Sequence, residues 1–148
     1  MISGILDPNL ENCAGLELIV CMQPSQLCDQ MIDGLLDLEC KVYPAKSPED
    51  ALSKIQFYAF PIIILEENYS LEMMKFMAFL PMVIRKNIFY TLVGQSLETG
   101  NKMQSFVLSA NLVVNTQDIP NLPGILSGAI LDNNRFFRPL VHALDPSI

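Results

Sequence analysis

Short, mostly apolar runs alternate along the chain with longer stretches in which apolar residues recur every three or four positions. The runs fall at 16–22 (LELIVCM), 41–45 (KVYPA), 61–65 (PIIIL), 88–93 (IFYTLV) and 112–115 (LVVN). Runs of this length bounded by turn formers predict strands, and those apolar at consecutive positions suit a parallel sheet covered on both faces. Helical patterns lie between them, over 25–38, 47–58, 70–83 and 101–109, and again from about 122 onward. In the first, Leu27, Met31, Leu35 and Leu38 share one face while Asp29, Asp33 and Asp37 repeat every fourth residue on another. The second opens on Ser47-Pro48-Glu49-Asp50, where proline loses no needed donor and the acids suit the helix dipole. The third runs through Pro81, which predicts an interruption there. Five β-α repeats in one small unit predict a doubly wound, five-stranded parallel sheet in a three-layer α/β/α sandwich.

The periodicity also sets the domain limits. Residues 1–15 carry no clear period and read as an N-terminal arm, 16–132 form the domain, and 133–148 a helical C-terminal extension. Phe136, Phe137, Leu140, Val141 and Leu144 in that extension either fold back on the domain or offer a partner an apolar handle. Gly124 and Gly128 have the spacing that either lets a helix approach a sheet closely or mediates dimerisation.

Composition narrows the function classes. With 51% hydrophobic and 17% charged residues in 148, the chain is far from the composition of a disordered protein. Its net charge of −7 is unevenly spread: Asp7, Glu11, Glu17, Asp29, Asp33, Asp37 and Glu39 precede the first base, Lys41. A chain without a basic cluster is a poor ligand for a phosphate backbone, so no nucleic-acid partner is expected. The lack of early bases also removes the charged start of a signal peptide. The longest apolar runs, 57–65 and 76–84, are nine residues each and contain a proline, against about 20 for a membrane span. The four cysteines (Cys13, Cys21, Cys28, Cys40) form no paired motif and only His142 accompanies them, so they read as reduced, mostly buried thiols of a cytoplasmic protein. Phosphate-loop, dinucleotide, nucleophile-elbow and metalloprotease motifs are absent, so no enzyme activity, cofactor or metal is expected.

In such sheets ligands sit beyond the carboxyl ends of the strands. Those ends are Cys21-Met22-Gln23, Glu66-Glu67-Asn68, Gly94-Gln95-Ser96 and Asn115-Thr116-Gln117. Over about 16–132 the chain resembles the receiver domain of bacterial response regulators, a flavodoxin-like (CheY-like) fold. The resemblance is carried by VYPAKSPEDAL at 42–52 and PIIILEE at 61–67, which look like the family's second strand, second-helix opening and third strand. Receivers transfer a phosphoryl group to an aspartate, with an acid pair holding Mg²⁺ and a hydroxyl and a lysine gripping the phosphoryl oxygens. Carried over by position, the acid pair falls on Cys21 and Met22 (or on Met22 and Gln23), the acceptor on Glu67, the hydroxyl on Gly94, the lysine on Thr116 and the switching aromatic on Val113. A thiol and a thioether are poor ligands for a hard cation. The resemblance therefore implies a degenerate receiver that is not phosphorylated.

Glu67 has three readings: a solvated strand-end carboxylate, a built-in charge imitating the phosphorylated state, or an acid/base residue paired with Glu66. The last requires the strand to have ended, because strand neighbours point to opposite faces. Two surfaces are candidates for contact with a protein partner, a second copy of the chain included. One is the acidic strip Asp29/Asp33/Asp37; the other is the Met-rich segment with Met73, Phe76, Met77 and Leu80, whose apolar residues outnumber one buried stripe. The competing class is a small polar ligand held in the strand-end cleft by Gln23, Glu67, Gln95 and Thr116.

Overall fold

A computed structural model describes residues 14–132. The proposed N-terminal arm (residues 14 and 15 aside), Cys13, His142 and the C-terminal extension with its apolar residues lie outside the described residues. Strands β1 (Glu17–Cys21), β2 (Lys41–Pro44), β3 (Ile62–Glu66), β4 (Phe89–Gly94) and β5 (Leu112–Asn115) pair in parallel in the order β2-β1-β3-β4-β5. Helices α1 (Gln26–Asp37), α2 (Pro48–Phe57), α3 (Leu71–Ala78), the single turn α4 (Met82–Arg85), α5 (Lys102–Val107) and α6 (residues 122–132) join or follow them. A 3₁₀ turn, Thr116–Asn121, leads from β5 into α6. This is the flavodoxin-like α/β architecture that the repeats predict.

Local chemistry fixes where the helices start. Ser25 Oγ accepts from the Cys28 N–H at 3.1 Å, Ser47 Oγ from Asp50 at 3.0 Å, Ser70 Oγ from Met73 at 3.1 Å and Asn101 Oδ1 from Gln104 at 2.9 Å. Each such cap is worth about 1 kcal/mol. At the second start the arrangement is doubled, since Asp50 Oδ2 accepts the Lys46 N–H at 2.9 Å, which draws its pKa below the ordinary value.

Alternation along the strands divides the interior into two cores. Leu18, Val20, Ile62, Ile64, Phe89, Val93, Leu112 and Val114 pack against α1 and α6. Ile19, Cys21, Ile63, Leu65, Tyr90, Leu92 and Val113 pack against α2, α3 and the end of α5. β2 is an edge strand and largely exposed, which is why it tolerates Pro44.

The interruption expected at Pro81 is present: the third helix stops at Ala78, and Pro81, which cannot donate to the ladder, stands at the N-cap position of the separate turn α4. Two expectations need correction. Met73 and Met77 are not surface: both are fully buried in the second core, with Phe76 and Leu80 half-buried over it. The exposed apolar residues of this segment are Phe79, Met82, Val83 and Ile84, displaced past the helix end by the proline break. Gly124 and Gly128 face open space, so they mediate no close approach. That role belongs to Gly34 of α1, where a β-carbon would lie 2.7 Å from Pro123 Cγ at the start of α6.

Candidate functional site at the strand ends

The carboxyl ends of β1, β3, β4 and β5 converge as the parallel topology requires. Cys21 and Met22 follow each other at the end of β1, and both are buried, but in different cores. Cys21 turns toward α2 and α3, Met22 toward α1 and α6. Neither side chain faces the cleft, and burial pushes the Cys21 thiol up from 9.0 to about 12. Cys28 is raised for the same reason. Cys21 and Cys28 are free, buried thiols; Cys40 is buried as well.

The two acids part company because β3 ends between them. Glu66 is its last residue, and its Oε1 accepts the Gln23 N–H at 3.0 Å, tying β3 to the turn after β1. Glu67 leads the following turn, its own N–H bonded to the Val93 carbonyl at 2.7 Å. Asn68 next to it takes a left-handed conformation, φ 66°, which asparagine tolerates better than most residues. Tyr69 N–H then closes the turn on the Glu66 carbonyl at 3.0 Å.

Glu67 turns toward β4. Its carboxylate lies over Gly94, where a β-carbon would overlap Oε2 and come within 2.7 Å of the Glu67 Cβ. Ser96 Oγ lies 2.7 Å from each carboxylate oxygen and donates to the carboxylate. The missing side chain at Gly94 is thus what makes room for a glutamate. The hydroxyl that meets the acid comes from two residues further along.

The β5 end is stitched to the same loop. Asn115 Nδ2 donates to the carbonyls of Leu97 at 2.8 Å and Gln95 at 3.3 Å, its Oδ1 accepts the Gln117 N–H at 2.9 Å, and its N–H donates to Thr99 Oγ1 at 2.9 Å. Thr99 in turn donates to Asp118. Thr116 is half-buried at the first position of the 3₁₀ turn, and Val113 is fully buried inside β5. Among the described residues no group of three or more His, Cys, Asp or Glu could hold a metal ion.

The structure therefore brings Glu67, Gly94 and Ser96 together and withdraws Cys21, Met22 and Val113 from the cleft. Asp29, Asp33 and Asp37 stand exposed on α1, with no base on their helix. Two contributors escaped the sequence: the Thr99–Asp118 bond, and the Arg85 clamp at the other end of the sheet. Arg85 Nη1 donates to the Ile88 carbonyl at 2.6 Å; its Nη2 donates to Ser109 at 3.0 Å and to Asn111 Oδ1 at 2.6 Å. An arginine directly after an exposed apolar turn is the only signal the sequence offers for it.

With this geometry in hand, the fold has clear counterparts. HP1043, an orphan response regulator of H. pylori, superposes with a TM-score of 0.60 at 11% identity, over 77% of this chain and 95% of that one. The chemotaxis response regulator CheY4 of Vibrio cholerae gives 0.56 at 16% identity over 76% and 99%. A CheY-like protein, TadZ, of Pseudomonas aeruginosa gives 0.53 at 15% identity over 76% and 97%. The chain has the receiver fold. No family profile and no curated protein sequence matches it. Among the described residues no helix is long and apolar enough to cross a membrane.

Proposed function

We propose that the chain is a receiver-like signalling domain that works by contact with a protein partner and not by phosphoryl transfer. The observation that carries this is the fate of the strand-end charges. Phosphoryl transfer to a carboxylate needs a cation held by oxygen ligands and a base to offset the product's charge. Here the β1 positions are a thiol and a thioether turned into the cores. The β5 position is Thr116, and the carboxylate that lies over β4, that of Glu67, is already bonded to Ser96.

The Glu67–Ser96 bond also supports a fixed signalling state. It places a negative charge at the end of β3 and ties it to the loop after β4, with no group to add or remove. Such a domain transmits by the surfaces it presents, and the uncompensated acids of α1 suit a basic partner whose approach they steer. Incubation with Mg²⁺ and acetyl phosphate, read by intact mass, tests the reading. The expected outcome is no gain of a phosphoryl group; a stoichiometric, hydroxylamine-labile adduct on Glu67 would overturn it.

A further inference from the structure

The end of the sheet opposite the cleft carries a different pattern. In a parallel sheet each connecting helix returns the chain to where the next strand begins, so the carboxyl ends of α2, α3 and α5 gather at that end of one layer. Each of the three ends on, or next to, a phenylalanine that is almost fully exposed: Phe57 at 86%, Phe79 at 85% and Phe106 at 83%. Met82, Val83 and Val107 beside them are exposed at 76%, 66% and 69%. Core packing explains none of these six side chains.

We propose that this belt is the seat of a second copy of the chain, related by a two-fold axis. The proposal deepens the contact-domain reading above by naming the partner, and it rests on that reading. Three arguments select a second copy. First, area: an aromatic side chain offers roughly 150 Å² or more, so the belt exposes on the order of 800 Å², one partner's share of a standard interface. That exceeds the few hundred Å² of apolar patch usual on a monomer's surface. Second, rigidity: the Arg85 bonds to Ile88, Ser109 and Asn111 tie the end of α4 to the turn that follows α5, so the two exposed apolar ends are held in place before any partner arrives.

Third, charge. No acid occurs within 51–65, 73–97 or 99–117, and the acids between these stretches, Glu66, Glu67, Glu72 and Glu98, sit toward the cleft end; Glu17, at the start of β1, is an acid of the belt end, and its carboxylate accepts from the Tyr58 hydroxyl beside Phe57. The strongly acidic α1 lies in the other helix layer, so a two-fold through the belt leaves the two acidic faces pointing away from each other. Sheet and helix layers are spaced by about 10 Å, so those faces stay separated by more than the Debye length of about 8 Å. Salt screens what repulsion arises between the bases of this layer, Lys54, Lys75 and Lys86 among them.

Sedimentation velocity on the whole chain, from micromolar to near-millimolar concentration, tests this. The expected result is a reversible monomer–dimer equilibrium that tightens as NaCl is raised. Each of Phe57→Ser, Phe79→Ser and Phe106→Ser should weaken it at least about tenfold, and the triple variant should remain monomeric. Because all three rings are exposed, the variants should unfold within a few degrees of the parent, which separates lost association from lost folding. A parent that stays monomeric, or a dimer whose affinity the triple variant keeps, would overturn the proposal. So would a belt-dependent attachment of monomer to vesicles of phosphatidylcholine and phosphatidylglycerol, which would reassign the surface to lipid. A monomer that also refuses acetyl phosphate sinks the dimer alone; a dimer that accepts it sinks the contact-domain reading alone.

Discussion

The two ends of the sheet are made of the same kinds of connection, yet they are finished in opposite ways. At the strand carboxyl ends, polar groups are answered internally: Glu66 by Gln23, Glu67 by Ser96, Asn115 by the carbonyls of Gln95 and Leu97, Thr99 by Asp118. At the other end, three helices stop on or beside phenylalanines that stay exposed among the described residues. In an open α/β sheet the first end is the usual place for chemistry. Here its charges are consumed by the fold, and the unsatisfied surface has moved to the far end. The difference is between polar groups paired within the fold and apolar side chains left to solvent.

That contrast can be broken in graded steps. The largest effect is expected from crossing the boundary between core and belt within one segment. Met73→Ala removes a fully buried side chain and should cost about 2–4 kcal/mol in urea unfolding. Phe79→Ala, six residues on, should change stability by no more than about 0.5 kcal/mol in dilute solution. Comparable losses at the two positions would mean that Phe79 is covered within the monomer.

The cleft itself responds next. Gly94→Ala forces a β-carbon into the Glu67 side chain, and overpacking of this kind costs about 1–3 kcal/mol. Removing the obstacle in the double variant Gly94→Ala/Glu67→Ala should return most of that loss, a coupling that a double-mutant cycle reads directly. If the two substitutions simply add, the carboxylate does not lie over Gly94.

A smaller effect separates Cys21 from a metal-holding position. Its folded pKa of about 12 exceeds the ordinary 9.0 because the thiol is buried. The native state therefore keeps a proton that the unfolded chain releases. Its contribution is complete below pH 9 and is lost as pH climbs toward 12, at up to about 1.4 kcal/mol per unit. Between pH 9 and 10 this slope should flatten in Cys21→Ala. Burial also raises the Tyr90 pKa above its ordinary 10.0, so its contribution has the same sign but begins higher.

Much of the fold was legible in the sequence because strand and helix announce themselves locally. β5 was readable to the residue as 112–115, and Ser25, Ser47 and Ser70 stood where the capping side chains proved to be. The faces of the third helix were not legible, because a run such as LEMMKFMAFLPMVI is apolar all round and periodicity cannot say which methionines turn inward. Pro81 decides it by ending the helix early, so that Met73 and Met77 go inside and Met82 does not. Gly124 and Gly128 misled for a related reason: their spacing is a backbone property, and only the packing revealed that Gly34 meets Pro123 instead.

At the site, the sequence placed Glu67 and Gly94 at the ends of neighbouring strands. It could not show that the absent side chain of one is filled by the longer side chain of the other. Nor could it connect Asn115 and Thr99 to the loop after β4, since those bonds join residues 16 to 20 positions apart. Long-range polar pairing has no local period to read.

The central claim is that the strand-end site no longer reads phosphate. An amide NMR titration with Mg²⁺ and then beryllofluoride, which mimics an acyl phosphate, tests it most directly. The account predicts that the resonances of Met22, Gln23, Glu67, Gly94 and Thr116 stay in place throughout. Saturable shifts clustered at those residues, appearing only when both reagents are present, would contradict it.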